Sequence, residues 1–127
     1  MAKPVMEIHG LDSLKEALSR SPDHLRALVS AAVSTSVYAA TNRAQSLAPR
    51  DTGRLQQAIS GTSRDTSGRV LIDDAAYYWR MVEFGTIHQN ARPFIRTTAE
   101  LERPDFERRM ELVARKFGDD LSVNRFI

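Results

Sequence analysis

Asp51-Thr-Gly53 is the one string in this 127-residue chain whose residue types resemble a catalytic motif. An aspartic protease uses such a carboxylate, but it needs two of them sharing one proton. The chain holds a single copy, and the preceding Leu47-Ala-Pro-Arg50 lacks the strand expected there. A dimer would supply two copies, so a toxin-like or hydrolytic enzyme using Asp51 is one alternative. The missing partner residues argue against it, and we expect no enzyme.

The three histidines, His9, His24 and His88, do not form a metal-binding pattern. No two of them stand four residues apart, and no carboxylate cluster accompanies them at ligand spacing. The chain has no cysteine, which removes disulfides and thiolate metal sites. A nucleophile elbow and a glycine-rich phosphate loop are also missing. We therefore predict no catalytic residue, no metal and no cofactor.

The longest predicted element is a helix over 25–47. Apolar residues recur there at three- and four-residue steps, and Ser21-Pro22 is typical of a helix start. Much of the apolar stripe is alanine and serine, so a sheet or a neighbouring subunit can approach closely. Pro49 ends the helix, Asp51 supplies a side-chain acceptor, and Gly53 allows a positive φ, which together predict a structural turn.

Strands are predicted on both sides of this helix. Val5–Ile8 is typical of a short strand, and apolar spacing over 11–18 predicts a short amphipathic helix. After the turn, the polar stretch Gly61–Gly68 precedes the apolar run Val70-Leu-Ile72, which predicts a β-hairpin with a long tip.

Residues 77–84 form a short aromatic helix with more apolar surface than one side can bury. Gly85 is placed to end it. Glu83, inside this helix, is expected to face solvent or to pair with Arg92 or Arg96, which would lock the intervening loop.

The last predicted helix begins at Arg92-Pro-Phe94, where an extended dipeptide precedes a proline. It runs through Glu102, is bent or interrupted at Pro104, and continues as an apolar stripe to Gly118, where it ends. The tail 119–127 carries two terminal hydrophobes and is expected to dock or to fray.

Three segments then stand in a fixed order: Leu47-Ala-Pro-Arg-Asp-Thr-Gly-Arg-Leu55, Tyr77-Tyr-Trp-Arg-Met-Val-Glu-Phe-Gly-Thr86 and Ala91-Arg-Pro-Phe-Ile-Arg96. Over about 44–100 the chain resembles the HK97 gp10-like family of tailed-phage neck and tail-completion proteins. Members carry A-P-x-D-T-G-x-L, then V-E-F-G-T, then A-R-P-F-[LI]-R. The resemblance implies a structural virion protein that joins head to tail, or completes the head-proximal end of the tail, as a ring around the DNA channel.

By the same resemblance, the partners are further copies of the chain in a ring of six or twelve, neighbouring head-completion, tail-terminator or tail-tube proteins, and nearby packaged DNA. The expected location is the virion neck or tail. We expect one domain over 1–127, with an N-terminal arm over about 1–20 and a docking tail over about 119–127. The predicted fold class is α+β, in which the long helix and the C-terminal helix pack on a small antiparallel sheet beside the aromatic helix.

Aromatic residues and arginine dominate interface energetics, which selects the contact candidates. They are Tyr77, Tyr78, Trp79, Glu83, Phe84, Arg92 and Phe94. Core packing is the competing explanation for Trp79 and Phe94. Arg64 and Arg69, near the hairpin tip, are candidates for contact with DNA in the channel.

The composition is that of a folded globular chain, with 42% hydrophobic and 27% charged residues. The net charge is only +2, and the arginines are spread along the chain, which argues against a dedicated nucleic-acid clamp. A pI near 9.3 keeps a small basic nucleic-acid-binding or regulatory protein as the alternative function. No apolar stretch approaches the ~20 residues of a membrane span, and no signal peptide is expected, so we expect assembly in the host cytoplasm.

Overall fold

The computed structural model describes residues 2–9, 23–49 and 53–125 of the chain. Its elements, in order, are β1 (Ala2–His9), α1 (Asp23–Leu47), α2 (Arg54–Ala58), β2 (Ile59–Arg64), β3 (Ser67–Asp73), a short 3-10 helix (Asp74–Ala76), α3 (Trp79–Phe84) and α4 (Ile95–Arg125). Two long helices and one three-stranded antiparallel sheet confirm the predicted α+β class. None of the described helices combines the length and the apolar character needed to cross a membrane.

The sheet has the order β1-β3-β2, and both pairings are antiparallel. Along the central strand the side chains alternate: Gly68, Val70 and Ile72 are buried, and Arg69 is exposed. This period of two is expected when only one face of a sheet packs on a core. The predicted strand over 5–8 is confirmed with wider bounds. The predicted helix over 11–18 and the start signal Ser21-Pro22 lie outside the described residues.

The long hairpin tip that the sequence predicts is wrong. β2 continues to Arg64 and β3 begins at Ser67, so only Asp65 and Thr66 lie in the loop. Asp65 has a positive φ of 55°, which its short polar side chain tolerates. The polar residues of β2 belong to an exposed strand at the sheet edge, where solvent replaces the apolar partner that a strand prediction looks for.

Helix α1 crosses the hairpin at two glycines. A Cβ at Gly68 would overlap the Val37 side chain, and a Cβ at Gly61 would lie 2.7 Å from another methyl of Val37 and overlap Thr41. Glycine on the strands and small residues on the helix therefore permit the close approach that the alanine-rich stripe predicts. The approach is made to the sheet of the same subunit.

The core has two parts along α1. The larger part lies between the C-terminal half of α1 and the sheet, and the smaller part joins the N-terminal half of α1 to Val113 of α4. Between them Glu102 of α4, nearly buried, accepts a hydrogen bond from Arg43 Nε at 2.6 Å, and Arg109 donates to Ser36 Oγ at 3.1 Å. These contacts set α1 and α4 antiparallel.

Helix α4 overturns two predictions. It starts at Ile95 and runs for 31 residues to Arg125, so Pro104 does not interrupt it and Gly118 does not end it. Pro104 is exposed, on the side of the helix where water can bond the carbonyl that the missing N–H leaves free. The predicted docking tail is thus helical up to Arg125.

Candidate functional site

Glu83, in the last turn of α3, is bonded to the beginning of α4. Its side chain is 1% exposed. Oε2 accepts hydrogen bonds from the backbone N–H groups of Phe94 at 2.7 Å and Ile95 at 3.1 Å, and Oε1 accepts one from Arg96 N–H at 2.8 Å. The first N–H groups of a helix have no partner inside the helix, and their positive end favours an anion. Glu83 therefore caps α4 from another element.

Arg96 closes this contact from the solvent side. Its Nε lies 3.4 Å from Glu83 Oε1, its Nη2 donates to the Glu83 carbonyl at 3.1 Å, and its guanidinium lies 5.2 Å from the centre of the Phe84 ring. The predicted charge pair is confirmed for Arg96. It is wrong for Arg92, whose backbone N–H donates to the Val82 carbonyl at 2.8 Å while its residue is exposed.

The loop between the two motifs is held by its own hydrogen bonds. Gly85, at φ 78° and ψ 172°, ends α3 as predicted, and its N–H donates to the Met81 carbonyl at 2.8 Å. Thr86 Oγ1 accepts hydrogen bonds from the N–H groups of His88 and Gln89 at 3.2 and 3.1 Å. Together with the Glu83 contacts, these bonds join the end of α3, the loop and the beginning of α4 into one unit, which we call the Glu83 lock.

The structure places Phe94 in the core, where it is fully buried against residues of α1, α2 and the sheet. Core packing, the alternative considered for this residue, describes its position. Glu83 is likewise buried within the subunit, so neither residue presents its side chain at the surface. Tyr78 and Trp79 are half-buried and pack on the same core.

The remaining aromatic candidates are exposed. Tyr77 is 75% exposed and Phe84 is 62% exposed, and Met81, between them at steps of four and three residues, is 50% exposed. We call Tyr77, Met81 and Phe84 the α3 patch. Ile87, just beyond it, is 98% exposed. Sequence reasoning missed Met81 and Ile87 as surface residues; the spacing of Met81 from Tyr77 and Phe84 was the available signal.

The two hairpin arginines have different environments. Arg64, at the end of β2, is exposed. Arg69 lies 3.4 Å from Glu7 across the β1–β3 pair, on the open face of the sheet and away from the tip.

The predicted structural turn after α1 is described only in part. α1 ends at Leu47, two residues before Pro49, and Gly53 has the positive φ of 75° that the sequence predicts. Asp51 lies outside the described residues.

The described ranges also bear on small-ligand chemistry. Within 2–9, 23–49 and 53–125, no group of three or more His, Cys, Asp or Glu is arranged to hold a metal ion. An open recess of about 730 Å³ lies between α1 and α2. It is lined by Asn42, Gln45, Ser46, Ala48, Gln56 and Gln57. Neutral amides of this kind accept and donate hydrogen bonds, and they offer no nucleophile with a base.

No known protein family, curated protein or solved structure matches this chain.

Proposed function

We propose that this protein is a structural virion protein of a tailed bacteriophage neck. In this proposal it joins the head to the tail, or completes the head-proximal end of the tail, as a ring around the DNA channel. The observation that carries the proposal is the Glu83 lock. It bonds the Val82-Glu-Phe-Gly-Thr86 segment to Ala91-Arg-Pro-Phe-Ile-Arg96, the two motifs in which the resemblance to neck and tail-completion proteins is most detailed.

The lock supports a role in assembly because it stiffens the part of the chain that carries exposed apolar side chains. A subunit that is ordered before it binds loses less conformational entropy on association. The α3 patch lies directly on the locked segment, and arginines 80, 92 and 96 surround it in sequence. Aromatic residues, methionine and arginine are the types enriched at protein interfaces.

The proposed partners follow from this role. They are other copies of the chain in a ring of six or twelve, and neighbouring head-completion, tail-terminator or tail-tube proteins. Arg64 is exposed at the tip of the hairpin and is our candidate for facing the packaged DNA. The proposed location is the virion neck or tail, after assembly in the host cytoplasm.

Electron microscopy of particles tests the proposal. A phage with a stop codon in this gene is grown with and without a plasmid that supplies the protein, and filled heads, free tails and joined virions are counted. We expect packaged heads and unattached tails without the plasmid, and joined virions with it. Normal infectious virions without the plasmid would contradict the neck role.

A further inference from the structure

We propose that the α3 patch of one subunit docks on the outward face of α4 of a second copy of this chain, head to tail. The inference rests on the proposed ring function and goes beyond it, because it names the two surfaces that meet.

The α3 side of this contact is apolar and basic. Tyr77, Met81 and Phe84 are each at least half exposed. Arg80 stacks 5.5 Å from the centre of the Trp79 ring, and within the described part of the chain neither Arg80 nor Arg92 forms an ion pair. The one carboxylate of α3, Glu83, is buried under the start of α4 and leaves the positive charge of this surface unbalanced.

The outward face of α4 is apolar and acidic. Glu100, Glu107 and Glu111 follow at steps of seven and four residues, which places them on one side of the helix. Leu101 and Leu112, eleven residues apart, lie on the adjoining side and are 46% and 56% exposed. Glu111 bonds Arg115 at 3.0 Å.

The other two carboxylates of this face are free to meet a partner. Glu100 and Glu107 are exposed and form no ion pair with any residue that the structure describes. An acidic helix face with two exposed leucines therefore matches the basic, apolar α3 patch in both charge and hydrophobicity.

Charge decides how two copies would meet. A contact of α3 patch with α3 patch would oppose arginine to arginine, and like charges across an interface are strongly unfavourable. A contact of α3 patch with the α4 face opposes arginine to glutamate. Because these are two different surfaces of one chain, each copy keeps one of each surface free for the next copy. Such a contact generates a ring when its rotation closes.

Exchanging the charges tests both surfaces together. Variant one carries Arg80→Glu and Arg92→Glu, and variant two carries Glu100→Arg and Glu107→Arg; Arg96 is kept because it belongs to the Glu83 lock. Each variant alone opposes like charges, so we expect its self-association in sedimentation velocity to weaken by roughly tenfold or more relative to wild type. In an equimolar mixture every contact pairs opposite charges again, and we expect oligomers of alternating subunits. Arg64→Glu, an exposed reversal outside both surfaces, should assemble like wild type.

Three results would overturn the inference. They are a wild-type chain that stays monomeric at all concentrations, folded variants whose mixture does not reassemble, and an Arg64→Glu variant that dissociates as much as the designed ones. Circular dichroism of each variant reports its folding. A wild-type oligomer with no rescue in the mixture would remove these surfaces and leave the neck role standing. Normal virions from the stop-codon phage would remove the neck role and leave this contact standing.

Discussion

Arg96 donates three hydrogen bonds to Glu83: from its backbone N–H and Nε to the carboxylate, and from Nη2 to the carbonyl. The two partners differ in exposure, since the side chain of Glu83 is 1% exposed and that of Arg96 is 55% exposed. An ion pair with one partner half in water contributes about 1 kcal/mol or less. Backbone N–H groups that bond a buried carboxylate contribute more, because without them the charge would be buried alone. Most of the stability of the lock therefore comes from the capping of α4.

Glu83→Gln should lower the free energy of unfolding by about 3 kcal/mol, because the uncharged amide turns donors toward N–H groups that need acceptors. Arg96→Ala should cost only about 1 kcal/mol. Urea denaturation followed by circular dichroism measures both. Glu100→Gln, the same change at an exposed position, is the control and should shift stability by less than about 0.5 kcal/mol. Equal losses for Glu83→Gln and Arg96→Ala would mean that the ion pair is the dominant contact.

Gly85→Ala should destabilise the protein by about 3 kcal/mol, whereas Gly53→Ala should cost about 1 kcal/mol. Both glycines have a positive φ, of 78° and 75°. Gly85 also has ψ 172°, a region that only glycine adopts readily, and a Cβ there would lie 2.8 Å from the Ala91 nitrogen. A Cβ at Gly53 would meet nothing within 4 Å. Thermal denaturation of the pair separates backbone strain from collision, and similar losses would contradict the close packing of the loop.

Gly68→Ala should cost about 1–3 kcal/mol because the added methyl overlaps Val37. Val37→Ala removes the overlapping atoms, so the double variant should be more stable than the sum of the two single changes predicts, by about 1 kcal/mol or more. Val29→Ala, on the same helix, is the control partner and should add independently. Chemical denaturation of the complete cycle gives the coupling. Additive losses for Gly68 with Val37 would show that α1 moves away from the hairpin at no cost.

Phe94→Ala and Phe84→Ala should separate core from surface. Phe94 is fully buried, so its truncation should cost about 3–5 kcal/mol of folding stability. Phe84 is 62% exposed, so its truncation should cost less than about 1 kcal/mol and should instead weaken self-association. Denaturation and sedimentation on the same samples test the two effects. A Phe84→Ala protein that assembles like wild type would take Phe84 out of the interface.

The elements that repeat with a clear period were predictable from the sequence. The apolar steps over 25–47 predicted α1, and Gly85 and Gly53 were recognised as positions of positive φ. The hairpin tip was not predictable, because β2 is an exposed edge strand whose polar residues resemble those of a loop. The full length of α4 was also missed, since Pro104 and Gly118 disfavour a helix locally and only packing on α1 outweighs that preference.

The candidate site shows the same division. Pairing of Glu83 with an arginine of the next motif was predictable from charge and distance along the chain. Its capping of α4 was not, because that depends on how α3 and α4 meet in space. Phe94 and Phe84 are the same residue type in neighbouring motifs, and only the fold distinguishes the buried one from the exposed one.

The strand order has a consequence for synthesis on the ribosome. β1 is the first element made, but its only neighbour in the sheet is β3, about sixty-five residues later in the chain. At ordinary translation rates that interval lasts roughly 3–13 s. β2 and β3, joined by two residues, can pair within about 10 μs of emerging. The nascent chain therefore completes its hairpin first and adds its oldest strand afterwards.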